Sequence, residues 1–226
     1  MPIRVNWVMC LLINVLFMSR AFSQYTPVLE SLRSELESGK QEQAFLQLKK
    51  MKIPSSTPDK ALYYFLLAKC NDIKNNHQEA FSGYLKAKEY YIAADSIGRA
   101  MDINLDIAFS IDLQKNTKHD YTKYIDEYFA YATKQNDSLR LAKGYAHMAA
   151  QRIDRKQYTE SLKYFKLARA INSRVKDKDL EISINSNLAV LYNEDLNKPD
   201  SALYYLRKNV DYLKQENRSE DLCYNY

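Results

Sequence analysis

Along most of the chain apolar residues recur at three- and four-residue spacing, and short polar breaks cut this pattern into paired segments. The run from Pro58 to Ala68 has helical spacing, ends at the polar break Lys74 to His77, and is followed by a second amphipathic run. In that second run Ala80, Tyr84 and Ala87 share one face at i, i+4 and i+7. The couplet returns as Tyr145, Met148 and Ala149 followed by Ser161, Phe165 and Ala168. It returns again as Leu188, Ala189 and Tyr192 followed by the run from Ala202 to Leu206. A looser copy has Ile107, Ala108 and Ile111, a longer joint from Lys115 to Asp120, and then Tyr121, Tyr124 and Tyr128. The weakest copy comes first, with a helix over 27–38 and then Ala44, Leu48 and Met51. The pattern predicts an all-α fold of about five antiparallel helix pairs near 27–52, 58–92, 96–135, 138–175 and 178–215.

Punctuation agrees with this division. Thr26-Pro27 and Thr57-Pro58 each put a hydroxyl before a proline at the first helical turn, where the missing N–H has no intrahelical partner to lose. Pro199 and Asp137-Ser138 mark two further starts. The Pro/Ser-rich stretch 53–58 suits a joint between pairs, and no domain boundary is expected between residues 24 and 226.

Aligning the small-residue slot of the second helices puts Ala44, Ala80, Tyr124, Ser161 and Ala202 in register, at intervals of 36, 44, 37 and 41 residues. The first helices carry a bulky residue, Leu or Met and then a small residue; the second carry small, aromatic, small. This couplet resembles the tetratricopeptide repeat (TPR). The resemblance covers residues 25 to 226, is strongest in the second, fourth and fifth units, and departs from the family's usual period of about 34 residues. It implies a right-handed α-solenoid, open at its C-terminal end. Small Ala68, Ala149 and Ala189 would let the partner helix approach, and Tyr84, Tyr128 and Phe165 would fill the space between units.

Composition narrows the functional classes. Four scattered glycines exclude a clustered Gly-rich phosphate loop or dinucleotide fingerprint. Removing residues 1–23 takes away Arg4 and Arg20 and no acid, so the formal charge of +5 falls to +3. Acids and bases are interspersed, as at Lys118 to Asp120 and Lys176 to Asp179, which leaves no basic strip to track a nucleic acid backbone.

The first 23 residues read as a signal peptide: Arg4, the uncharged run Val5 to Met18, then small Ala21 and Ser23 around Phe22. That run of 14 residues is short of the roughly 20 needed to span a bilayer as a helix. Cleavage is expected between Ser23 and Gln24, giving a periplasmic or extracellular protein, with an uncleaved anchor as the alternative. Cys10 lacks the small neighbours of a lipoprotein signal, and Cys70 and Cys223 show no disulfide spacing.

No residue set predicts catalysis, a cofactor or a metal. His77, His119 and His147 form no H-E-x-x-H pair. Asp102, Asp106 and Asp112 read as a solvated acidic face, and Ser161 and Ser201 lack a nucleophile elbow. The stripe Tyr121, Tyr124, Tyr128 and Tyr131 could stack a sugar or peptide, but most of the tyrosines are expected in the core, and Tyr121 and Tyr128 occupy slots where the repeat places packing aromatics.

By the resemblance, the first helices line a concave groove carrying Phe65, Lys69, Asp102, Asp106, Phe109, Lys143, His147, Asn187 and Asn193. Two phenylalanines among mixed charges suit a protein or peptide segment. Some family members clamp a C-terminal carboxylate on this face; here Phe65, Lys69 and Asp106, then Leu105, Phe109 and His147, occupy those places and depart from that clamp. Residues 220–226 read as the start of another first helix, which resembles the front of a longer membrane signalling regulator. A membrane would then be met only through an uncleaved signal or a missing C-terminal portion. The expected function is a non-enzymatic, exported protein- or peptide-binding scaffold, or the input part of such a regulator. The alternative is a small-ligand or glycan-binding repeat module that uses exposed tyrosines.

Overall fold

A computed structural model describes residues 25–114 and 120–215. The expected signal peptide and cleavage position, Cys10, His119, Cys223 and the stretch 220–226 lie outside the described residues. Among the described residues there are ten α-helices and no strand. They are α1 (Thr26–Glu37), α2 (Gln41–Lys50), α3 (Thr57–Ile73), α4 (His77–Ala93), α5 (Ile97–Leu113), α6 (Thr122–Lys134), α7 (Ser138–Asp154), α8 (Tyr158–Val175), α9 (Lys178–Val190) and α10 (Pro199–Gln215). One turn of π-helix, Leu191–Asp195, extends α9. Consecutive helices pack as pairs, as in a helical-repeat protein, and the residues divide into two compact units, up to Asp95 and from Ser96. None of the described helices is long and apolar enough to cross a membrane.

In the first unit α1, α2 and α3 enclose Leu29, Leu32, Leu48 and Leu66, all essentially inaccessible. Cys70 is buried among them, and burial pushes its thiol up to about 11, so it sits there as a small hydrophobe. The α3–α4 pair closes through small residues. A Cβ built on Gly83 would stand 2.9 Å from the Ala68 Cβ, closer than carbon atoms tolerate. Tyr84 is fully buried beside this contact, between buried Ala80 and Ala87.

The second unit repeats the scheme. Ser161, Phe165 and Ala168 of α8 are buried, and Phe165 joins Ala142 and Ala149 of α7 and Leu180, Ile184 and Leu188 of α9 in one core. Between α6 and α7, Gly144 faces the Tyr128 and Phe129 rings, which a Cβ there would meet at 2.9 and 2.8 Å. Tyr128 is buried, and its hydroxyl donates to the Arg140 carbonyl at 2.8 Å.

Helix starts follow the sequence signals except at the two Thr-Pro pairs. Asp137 and Asp177 accept from the backbone N–H of Arg140 (2.9 Å) and Leu180 (2.7 Å) as N-caps. At α3 the cap is Ser56 rather than Thr57: its hydroxyl accepts from the Asp59 N–H and donates to the Asp59 carboxylate at 2.5 Å. This reciprocal box outcompetes a single hydroxyl placed next to the proline. Thr26 likewise lies inside α1, and its hydroxyl donates to Asp59 at 2.7 Å instead of capping.

Candidate partner-binding groove

The second unit holds a groove of about 430 Å³ across three first helices, α5, α7 and α9. Helical register explains its make-up. On α7, Lys143, His147 and Ala150 fall at i, i+4 and i+7 with Ala146 between them; on α9, Asp179, Ser183 and Asn187 fall at i, i+4 and i+8. Leu105 of α5 and Leu180 of α9 add apolar surface. Alanines at 146 and 150 keep the α7 wall low, so an incoming chain can reach the helix backbone envelope. The Asn187 amide donates to the Ser183 carbonyl at 2.8 Å and leaves its own carbonyl oxygen as an acceptor at the groove surface. Lys143 and Asp179, both exposed, put one charge of each sign on the lining.

The structure therefore brings Lys143, His147 and Asn187 together out of the residues expected from sequence. Phe109 stands beside them: its ring meets the His147 imidazole edge-on, with centroids 6.0 Å apart. Asp106 is half-buried on α5. Asp102 serves as a strut and does not line the groove. Arg140 grips its two carboxylate oxygens at 2.8 and 3.0 Å, reaches Asp137 at 2.5 Å with its third nitrogen, and lies over the Tyr131 ring. Hydrogen bonding to Asp102, opposed by burial, holds the Arg140 guanidinium firmly protonated. Burial pushes Asp137 up, but hydrogen bonds from the Arg140 backbone and guanidinium outweigh it and hold the carboxyl below the usual aspartate range. Asn193 lies in the π turn and lines a different valley, between α9 and α10. In the first unit Phe65 is half-buried, 6.1 Å from the Tyr84 ring, and the Lys69 ammonium stands 5.6 Å over it.

Ala146, Ala150, Asp179, Leu180 and Ser183 line the groove without being among the residues expected there, and Leu105 was expected on this face only at a clamp position. Asp179 and Ser183 were within reach of the sequence reading, since stepping back from Asn187 by one and two helical turns arrives at both. The alanines carry no such signal; they matter by being small.

The tyrosine stripe is committed to packing. Tyr124 and Tyr128 are buried, Tyr121 lies half-buried under the Arg155 guanidinium at 4.9 Å, and Tyr131 lies under Arg140 at 5.6 Å. Arg155 also grips Asp112, its Nε donating at 3.2 Å. His77 is half-buried and pairs with Asp72 at 3.1 Å. Among the described residues no group of three or more His, Cys, Asp or Glu is gathered as metal ligands. No protein-family model matches the chain, and comparison with curated proteins gives no match.

Proposed function

We propose that this chain is a non-enzymatic, exported scaffold, a right-handed TPR-like array that captures a protein or peptide segment in the groove of α5, α7 and α9. The observation that carries the reading is that Lys143, His147 and Asn187, drawn from two successive first helices, share one groove with Leu105, Ala146 and Leu180. Apolar floor and separated opposite charges suit a chain that buries one side chain and aligns its own charges along the walls. The tyrosines support this over a glycan platform, because two of the four stripe rings are buried and the other two lie beneath arginines. The apolar leader and the small residues Ala21 and Ser23 support export. Service as the input part of a longer regulator is a further role that the same groove could fill.

The test is capture from the exported fraction with residues 24–226, comparing the natural chain with Ala150→Arg, which fills the groove without touching the buried core. The natural chain should retain a protein that mass spectrometry identifies and that Ala150→Arg loses by roughly tenfold or more in affinity. Equal retention by both would place the contact surface elsewhere.

A further inference from the structure

Gln135, Asn136 and Asp137 join α6 to α7, and both Asn136 and the serine that follows, Ser138, are exposed. A serine at a helix start is ordinarily spent on the orphan N–H groups of the first turn. Ser138 is not. Asp137 takes that role, accepting from the Arg140 N–H at 2.9 Å, and the Ser138 hydroxyl has no hydrogen-bond partner among the described residues. Ser38, Ser56 and Ser173 differ, since their hydroxyls donate to the Glu35 carbonyl, the Asp59 carboxylate and the Ala170 carbonyl.

The local sequence recurs. Each of the chain's three Asp-Ser pairs is followed by an apolar residue and stands at a helix start: Asp95-Ser96-Ile97 at α5, Asp137-Ser138-Leu139 at α7 and Asp200-Ser201-Ala202 at α10. Ser96 stands at the N-cap of α5 without a side-chain cap bond, and Ser201 is the third residue of α10. Neither hydroxyl has a hydrogen-bond partner among the described residues. Ser96 and Ser201 are half-buried, so Ser138 is the most accessible of the three. An acid, an unengaged hydroxyl and an apolar residue, repeated at turns, form a short pattern that a modifying enzyme can read without unfolding a helix.

Charge decides which group this hydroxyl can carry. Arg140 spends its three nitrogens on Asp102 and Asp137, which leaves two carboxylates against one guanidinium at the start of α7. A helix N-terminus favours a phosphate, but Asp137 already fills this one, and a further dianion would meet like charge beside it. A neutral group meets no such opposition. On a chain that is exported, a sugar is the neutral, bulky and well-solvated group that suits an exposed turn.

We infer that Ser138 is an O-glycosylation site, its hydroxyl carrying a neutral sugar added by a glycosyltransferase of the exporting cell; this rests on the export reading above. The Ser138 Oγ attacks the anomeric carbon of a sugar diphosphate donor. The Oγ–carbon bond forms as the bond from that carbon to the phosphate oxygen breaks. The electron pair leaves on the phosphate, and the hydroxyl proton passes to the transferase's base. The same turn spells Asn-x-Ser, the acceptor motif of N-linked glycans, so the Asn136 amide is the competing acceptor. Asn136 is not part of what recurs, because Ala94 and Pro199 stand in its place in the other two copies.

The test takes the full chain from the exported fraction of its own host, sequences its N-terminus, and measures its mass intact and after proteolysis. The expected chain starts near Gln24 and carries added mass on the peptide that contains Ser138. Mild alkali should release that mass, and periodate oxidation should label it as sugar. Ser138→Ala should lose the added mass, whereas Ser138→Thr and Asn136→Gln should keep it. An exported chain with an unmodified Ser138 overturns the proposal and leaves the export reading standing. Sugar lost from Asn136→Gln but kept on Ser138→Ala overturns it in favour of the amide. An added group that a phosphatase removes overturns it in favour of phosphate, and sugar found on Lys134 instead marks chemical glycation and overturns it too. An unmodified chain that keeps residues 1–23 overturns this inference and the export reading together.

Discussion

Among the described residues six non-glycine residues sit in the left-handed region: Asn75, Asp95, Asn136, Lys156, Lys176 and Asn197, each just beyond the last turn of a helix. A chain with four glycines must end its helices this way, and asparagine and aspartate bear the conformation best. Lys156, at φ 58°, has no such side-chain compensation. Lys156→Gly should therefore raise stability by about 1 kcal/mol, read as a higher midpoint in denaturant unfolding. Asp137 makes the opposite kind of prediction. Its carboxyl is held below the usual range in the folded chain, so its contribution is fully present above the unfolded value of about 4 and disappears as pH falls through the folded value. Asp137→Asn keeps a capping oxygen but loses the charge that faces Arg140. Its melting temperature should lie below that of the natural chain at pH 7, with the difference closing as pH is lowered below about 4. A constant difference across that range would show that the charge is not what Asp137 contributes.

At the scale of elements, period and punctuation are what the sequence makes legible. The break at Lys74 to His77 and the small–aromatic–small slots predict α3 and α4 near 58–92, and the helices span Thr57–Ile73 and His77–Ala93. The second-helix residues that the couplet marks in the second and fourth pairs, Ala80, Tyr84, Ala87, Ser161, Phe165 and Ala168, are all buried, whereas Tyr145, Met148 and Tyr192 are half-buried and Leu203 and Tyr204 exposed. Periodicity is blind where a position is decided by what stands opposite it. At α3 the local pattern Ser56-x-x-Asp59 favours Ser56, since Thr57 has Lys60 three residues on; what no local pattern shows is that Asp59 is also held by Thr26 from 33 residues away. The π turn at Leu191–Asp195 is similarly set by tertiary contact, with Leu191 buried in the core and Tyr158 donating to Asp195 at 2.8 Å. The clearest packing prediction concerns Phe165, which three helices surround. Phe165→Ala should cost about 3 to 5 kcal/mol, measured by denaturant unfolding, because the void lies among backbone-fixed helices that cannot collapse onto it.

Across the whole molecule, the groove was only partly readable, for a geometric reason. The repeat resemblance marks nine first-helix positions for a groove, and of these Lys143, His147 and Asn187 line the one in the second unit. Which of those positions face one another depends on how successive pairs pack, and that is how Asp102 becomes a strut to Arg140 while Asp179, on another helix, joins the lining. If the groove is the contact surface, binding and packing should come apart when residues of each kind are changed. Lys143 is exposed on the groove wall, so Lys143→Glu should leave the melting temperature within about a degree and weaken partner capture by roughly 1 to 3 kcal/mol. The loss should shrink as salt is raised, since the interaction it removes is screened over about 10 Å at 0.1 M. Phe165→Ala should do the reverse, lowering stability while the fraction still folded binds with unchanged affinity, because its ring reaches the core and not the groove. The measurement is a pair of melting and binding curves for each variant against one captured partner. A Lys143→Glu variant that melts and binds as the natural chain does would remove α7 from the contact surface.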